Sequence, residues 1–265
     1  MPELPEVQTI VTGLLEKVLG KQISEILEYR ENTVIWHVEC AEFGKIISID
    51  RRGKYIIFHL ANGLKLVVHL RMTGKLIYEE NLAKSSSHTR AEIIFEDDTK
   101  LIFDDVRTFG KIEVMLESAK NLSISKLGVE PLEPQFNYEY LEDKIKKRIT
   151  PIKNILLDQT VIAGIGNIYA SEILFRAKID PTKKGSNLSN EEIAKIVLNT
   201  KEILNEAIKC NGTTISDYRS VEDKTGEFQN FLKVYRKDYC ECGNRISKIK
   251  ISGRSTYFCD KCQKK

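Results

Sequence analysis

The sequence predicts an α+β chain: a helix at the start, an N-terminal antiparallel β-sandwich or barrel, and a helical C-terminal half ending in a small metal-bound appendix. Three observations carry this reading. Apolar residues recur at helical spacing almost from the first residue, and β-rich runs then follow one another to about Leu116 with no helix between them. Helical periodicity returns after Pro131 and Pro134, ahead of four clustered cysteines.

The first helix is set by Val7, Ile10, Val11, Leu14, Leu15 and Val18, three and four residues apart, and Gly20 ends it. Strands are predicted at Ile46–Ile49, Tyr55–Leu60, Leu64–Leu70, Ala91–Phe95, Lys100–Phe103 and Lys111–Met115, with Asn62-Gly63 and Asp97-Asp98 as turns. Strands in direct succession pair as hairpins and meanders, hence antiparallel. Residues 117–135 read as a linker. Helices are then expected at about Tyr138–Lys147, from Pro151 in a first turn to Asp158, and after Asn167. The longest runs from a Ser189 cap, with Glu192 as its capping-box partner, to about Lys209 and closes at Asn211-Gly212.

Composition narrows the class. With 265 residues, 42% of them hydrophobic, the chain can bury a real core as one large or two modest domains, and disordered and collagen-like classes are excluded. No apolar run approaches the ~18–20 residues needed to span a bilayer, and the first residues are acidic, so a cytoplasmic protein is expected. The net charge of +3 does not announce a nucleic-acid partner. It hides a basic tail, however: from Gln229 onward ten basic residues face three acidic ones, a net +7.

Cys240, Cys242, Cys259 and Cys262 are spaced C-x-C, sixteen residues, C-x-x-C, while Cys40 and Cys210 stand alone. Four clustered thiols in a reducing compartment point to a closed, structural zinc site on a β-hairpin, with free thiols as the alternative. Gly164-Ile165-Gly166-Asn167, between two predicted helices, is either a plain interhelical turn or a place where backbone N–H groups meet an anion. Met1-Pro2 is the other unusual feature. Removal of the methionine exposes a secondary amine at a helix start, with Glu3 and Glu6 within one turn to handle protons. This is either an ordinary processed terminus or a nucleophile able to form an iminium with a sugar carbon. The histidines His37, His59, His69 and His88 show no ligand spacing.

Pro2-Glu3-Leu4-Pro5-Glu6-Val7, Arg51-Arg52-Gly53-Lys54-Tyr55, Gly164-Ile165-Gly166-Asn167-Ile168-Tyr169-Ala170-Ser171-Glu172 and the terminal cysteine module, in this order, resemble the bacterial formamidopyrimidine-DNA glycosylases over nearly the whole chain. Leu4 favours that branch over the related endonuclease VIII, which typically has glycine there. The resemblance implies a catalytic β-sandwich over residues 1–130, flanked by its N-terminal helix. A helical helix-two-turn-helix DNA-binding domain would occupy 131–228, and a zinc-finger β-hairpin 229–265. It implies removal of 8-oxoguanine and formamidopyrimidines from double-stranded DNA, strand nicking at the resulting abasic site by β,δ-elimination, one structural Zn2+ and a monomer acting away from membranes.

Under the same resemblance Pro2 is the Schiff-base nucleophile, Glu3 the proton donor for sugar opening and Glu6 its support. Lys54 is the proton donor in β-elimination, and Arg254 serves δ-elimination. Met72, Arg107 and Phe109 form a wedge that fills the hole left by the flipped base, although Met72 and Phe109 taken alone read as core. His88, Arg148, Lys153, Asn167 and Arg254 lie on the phosphate-facing side, and residues 213–226 form the loop over the flipped base. The family usually has C-x-x-C where this chain has Cys240-Glu241-Cys242. Readings that compete are an endonuclease VIII-like preference for oxidised pyrimidines, a non-catalytic damaged-DNA-binding protein and a zinc-ribbon RNA binder.

Overall fold

The computed structural model describes residues 1–39, 42–80, 85–214, 220–221 and 225–264. The chain forms two compact units, neither contiguous in sequence: Met1–Ser125 with Cys210–Glu227, and Lys126–Lys209 with Phe228–Lys265. These divisions differ from the three expected segments. The first boundary falls at Ser125/Lys126 instead of 130/131, the finger packs with the helices, and residues 210–227 join the sandwich. Specific contacts explain that last change. The Thr213 N–H donates to Glu6 Oε1, and the Val221 carbonyl accepts from the Tyr78 N–H. The Val221 side chain is buried in the sandwich core beside Gly13.

In the first unit α1 (Leu4–Val18) lies against β3 (Ile46–Arg52), burying Val7, Ile10, Val11, Leu14 and Val18 as its periodicity requires. One sheet has five strands in the order β2 (Val34–Trp36), β9 (Lys111–Leu116), β5 (Leu64–His69), β4 (Tyr55–Leu60), β3. The other has four, ordered β1 (Ile23–Glu28), β7 (Thr89–Phe95), β8 (Lys100–Asp104), β6 (Lys75–Glu79). All pairs are antiparallel except β2 with β9, which is parallel. Strict alternation on β4 turns Ile56, Phe58 and Leu60 inward to meet Leu66 and Val68 of β5 and Ile93, Phe95 and Phe103 of the opposite sheet in one core. The sequence pattern did not reveal β1, β2 and β6, and all three are edge strands. Of these, β2 is only three residues long, and β1 and β6 carry charges, as in Ile23-Ser24-Glu25-Ile26-Leu27-Glu28; a long apolar edge would invite pairing with other chains.

The short helix α2 (Leu122–Ser125) occupies the expected linker. In the second unit α3 (Tyr138–Ile145) starts at Asn137, whose side chain accepts from the Tyr140 N–H. Pro151 is the N-cap of α4 (Ile152–Leu157), one position before the first turn. Helices α5 (Asn167–Arg176) and α6 (Asn190–Lys209) follow. The Ser189 and Glu192 cap is formed as expected: the Glu192 N–H donates to Ser189 Oγ at 3.2 Å and the Ser189 N–H to Glu192 Oε2 at 2.8 Å. Strands β10 (Ser247–Ile251) and β11 (Arg254–Phe258) form the terminal hairpin, its turn made by Ser252 and Gly253 at positive φ.

Candidate active site

Glu3 is the N-cap of α1, and Pro2, buried, directly precedes it. Glu3 and Glu6 close a reciprocal capping box, with the Glu3 N–H donating to Glu6 Oε2 at 2.7 Å. The other oxygen of Glu6 accepts from the Thr213 N–H, also at 2.7 Å. Gly212 permits this approach: its φ is +78°, and a Cβ there would stand 2.9 Å from Glu6 Cγ. Glu6 thus spends its carboxylate on holding the helix start and residue 213 together. Arg51 Nε donates to Gln8 Oε1 at 2.9 Å, tying the end of β3 to the first turns of α1. The Gly53-Lys54 turn follows, with Gly53 at positive φ and Lys54 7% exposed.

His69, unremarkable in the sequence, belongs to this neighbourhood. Burial, then the charges of Arg71 and Lys54, lower its pKa to about 3, so the ring is neutral at physiological pH. It stands edge-on to Tyr55 at 4.5 Å, and its Nδ1 accepts from the Arg71 N–H at 2.9 Å, which leaves Nε2 as the protonated donor. The only sequence signal for it is its position three residues before Met72.

Met72 and Phe109 are 39% and 51% exposed, which removes them from the core. The Arg107 guanidinium stacks 5.0 Å from the Phe109 ring centre, and Val106 beside it is also exposed. His88 is exposed too, and its carbonyl accepts from the Asp105 N–H. Of the expected lesion-capping loop, residues 215–219 and 222–224 lie outside the described residues, as does Cys40.

In the second unit three expected contacts converge at the start of β11. Asn167, the first residue of α5, donates from Nδ2 to the Ser255 carbonyl at 2.9 Å, and its Oδ1 is buried without a hydrogen-bond partner among the described residues. Lys153 is fully enclosed, its ammonium donating to Ser255 O at 3.2 Å and Thr256 Oγ1 at 2.9 Å. Expected on the phosphate-facing side, it is instead an internal strut between α4 and the hairpin. Both hold the strand that begins with exposed Arg254. Arg148 is half-buried and paired with Asp158 at 2.9 Å. The Gly164 N–H is taken by Gln159 Oε1, so at that residue the turn is internally satisfied. Glu172, buried, accepts from the N–H groups of Lys233, Val234 and Tyr235, and burial raises its pKa.

The four clustered cysteines form the candidate metal centre, with all sulfurs within 4.8 Å of one another. Cys240 and Cys262 are 3.8 Å apart, Cys242 and Cys259 3.7 Å. A tetrahedron with ~2.3 Å zinc–sulfur bonds has edges of ~3.8 Å, so the shortened C-x-C still fits zinc. The thiols compete for protons. A backbone N–H from Asn244 lowers Cys242 to about 7, whereas hydrogen bonding to Cys242 pushes Cys262 up to about 12. A divalent ion would stabilise thiolate at all four positions. The module is anchored by Gln263, which accepts from the Cys259 N–H and donates to the Ile179 carbonyl.

Three family models match the chain: the formamidopyrimidine-DNA glycosylase N-terminal domain over residues 1–112, the formamidopyrimidine-DNA glycosylase H2TH domain over 127–219, and a zinc finger found in FPG and IleRS over 241–265. A formamidopyrimidine-DNA glycosylase from Wolbachia of Drosophila simulans is 39% identical over 270 residues, covering 99% of this chain and 100% of its own. A Lactococcus lactis variant solved with DNA containing Fapy-dG superposes with a TM-score of 0.92 at 37% identity, all of both chains covered. The wild-type Lactococcus lactis protein bound to DNA containing an oxidised pyrimidine gives 0.90 at 36%, again over both whole chains.

Proposed function

Because the chain belongs to the formamidopyrimidine-DNA glycosylase family, we propose that it is a bifunctional glycosylase and abasic-site lyase of base excision repair. It removes 8-oxoguanine and formamidopyrimidines from duplex DNA through the amine of Pro2. The observation that carries this is the helix start, where buried Pro2 directly precedes the Glu3 cap and Glu6 fixes the turn.

The amine attacks C1′ as the damaged base departs with the bonding pair, and the proton that the amine nitrogen sheds balances the one that the departing base takes up. Glu3 delivers a proton to the sugar ring oxygen, the ring opens, and an iminium remains on Pro2. Loss of a C2′ proton sends its electrons into the iminium and then expels the 3′ phosphate, with Lys54 supplying a proton. A second elimination, assigned to Arg254, frees the 5′ phosphate. Glu6 acts by positioning. Met72, Arg107 and Phe109 fill the emptied stack, and Arg107 bonds the orphaned base. Arg254, Asn167, His88 and Arg148 touch phosphate, whereas Lys153 acts through the strand that it props. Zinc, held by Cys240, Cys242, Cys259 and Cys262, keeps that hairpin folded and takes no part in the chemistry. Among the described residues no helix is long and apolar enough to cross a membrane. We place the protein in the cytoplasm, as a monomer on chromosomal DNA.

Borohydride trapping on duplexes containing 8-oxoguanine tests this reading. The expected product is a covalent adduct on the N-terminal peptide, absent in Pro2→Gly. Folded protein that binds abasic DNA yet gives neither adduct nor nick would overturn it in favour of a non-catalytic binder. A second reading, excision of oxidised pyrimidines, is favoured by the oxidised-pyrimidine complex of the Lactococcus lactis protein. Parallel assays on thymine-glycol duplexes decide between them.

A further inference from the structure

We propose that Asp105 is a positioning residue for the wedge: its carboxylate joins the Met72 tip and the Arg107–Phe109 loop into one preformed piece on which opposite-base reading depends. The inference rests on the glycosylase reading above.

Asp105 is 1% exposed. Its Oδ1 accepts from the Thr73 hydroxyl, next to Met72, and from the Arg107 N–H at 3.1 Å. Its Oδ2 accepts from the Gly110 N–H at 2.7 Å. Thr73 Oγ1 in turn accepts from the Arg107 N–H at 3.1 Å, so the two loops share donors and acceptors. The backbone of Asp105 is fixed as well, since its N–H donates to the His88 carbonyl and its carbonyl accepts from Arg90 Nε. Three donors converge on one carboxylate, a number that an amide, bringing donors of its own, cannot satisfy.

Both loops carry the mark of imposed shape. Thr108 and Arg71 have φ of +60° and +52°, the left-handed region that few non-glycine residues adopt and that a β-branched one such as Thr108 enters only where its surroundings over-determine it. At the loop exits no side chain fits: a Cβ on Gly110 would meet Phe103 Cζ at 2.5 Å, and one on Gly74 would meet the Leu70 carbonyl at 2.5 Å. Exposed side chains on so constrained a backbone enter the base stack with their ordering cost already met before binding. The three wedge residues therefore act as a unit, and loosening Asp105 or Thr73 loosens the discrimination made by Arg107.

The test measures single-turnover excision of 8-oxoguanine opposite cytosine and opposite adenine, with cleavage of a preformed abasic site as reference, in wild type, Thr73→Val, Thr73→Ser and Asp105→Asn. Thr73→Val loses one hydrogen bond to a charged group, so the cytosine-to-adenine ratio should compress about tenfold toward unity. Excision should fall relative to abasic-site cleavage, Thr73→Ser should restore both, and Asp105→Asn should exceed Thr73→Val. If Asp105→Asn does not fold, the half-buried Thr73 pair decides. A wild-type ratio of one, an unchanged ratio in Thr73→Val, or equal losses on both substrates would overturn the proposal. Wild-type protein inert on every duplex would instead sink the glycosylase reading, a result distinct from lost discrimination.

Discussion

Glutamine in place of Glu6 keeps the shape of the side chain and removes half of its accepting capacity. Glu6 is 1% exposed and receives two backbone N–H groups, from Glu3 on one oxygen and from Thr213 on the other, each at 2.7 Å. The amide keeps one oxygen and turns an NH2 toward the other N–H. One donor is then left buried without an acceptor, at about 1–3 kcal/mol, and the surviving bond loses its charge assistance, about 1 kcal/mol. The sum, about 2–4 kcal/mol, is below the ~5–15 kcal/mol that holds a typical domain. Glu6→Gln should therefore fold, with a lower urea midpoint at unchanged m-value, faster hydrogen exchange at the Thr213 or Glu3 amide, and slower excision. A midpoint shift worth less than about 0.5 kcal/mol with both amides still protected would refute the reasoning.

Acid should weaken the sandwich through His69. Its pKa is depressed to about 3 in the folded protein, so the unfolded chain gains a proton from about pH 6.5 downward while the folded one does not. Stability present at neutral pH is lost as pH falls through that window, by at most about 1.4 kcal/mol per pH unit. Urea midpoints at pH 7 and 4.5 should differ less in His69→Gln than in wild type, and an identical difference would contradict the assignment. Chelation should melt the terminal hairpin alone, because its buried cluster, Val234, Cys240, Ile246 and Cys259, is half zinc ligands. Structural zinc is worth ~10–16 kcal/mol in such modules. Amide protection in β10 and β11 and abasic-DNA binding should vanish while helical circular dichroism persists, and zinc should restore them; protection that survives chelation would refute a metal-supported fold.

What the sequence reveals follows from where its residues point. Helix α1 and strand β4 are buried on one face, so periodicity of 3.6 and 2 exposes them directly, whereas β5 shows as an apolar run because Leu66, Val67 and Val68 are all buried. The edge strands β1, β2 and β6 lack that signature because β2 is only three residues long and β1 and β6 are interrupted or ended by charged residues, Glu25 and Glu28 in the one and Lys75 and Glu79 in the other. Cysteine spacing located the metal centre, since ligand geometry is local. Lys153 shows the opposite case. The resemblance puts it on the phosphate-facing side, whereas its acceptors here, Ser255 and Thr256, lie about a hundred residues away, and only tertiary folding reveals them. Asp105 and His69 were hard to see for a related reason: Arg107, Gly110 and Arg71 are their near neighbours in sequence, but Thr73 and Lys54 join them only in the fold.

The strand of chain from Cys210 to Glu227 that completes the first unit also dictates the order of birth. A ribosome releases Met1–Ser125 early, but Thr213, the partner of Glu6, emerges only after the intervening Lys126–Lys209. At ~5–20 residues per second that interval lasts roughly 4–17 s. During synthesis the helix start that bears Pro2 is therefore left waiting for its last clamp, and the sandwich matures only when most of the second unit has already left the ribosome. A protein truncated before residue 210 would carry Pro2, Glu3, Glu6 and Lys54 on its first unit, yet lack Arg254 and the segment whose Thr213 clamps Glu6.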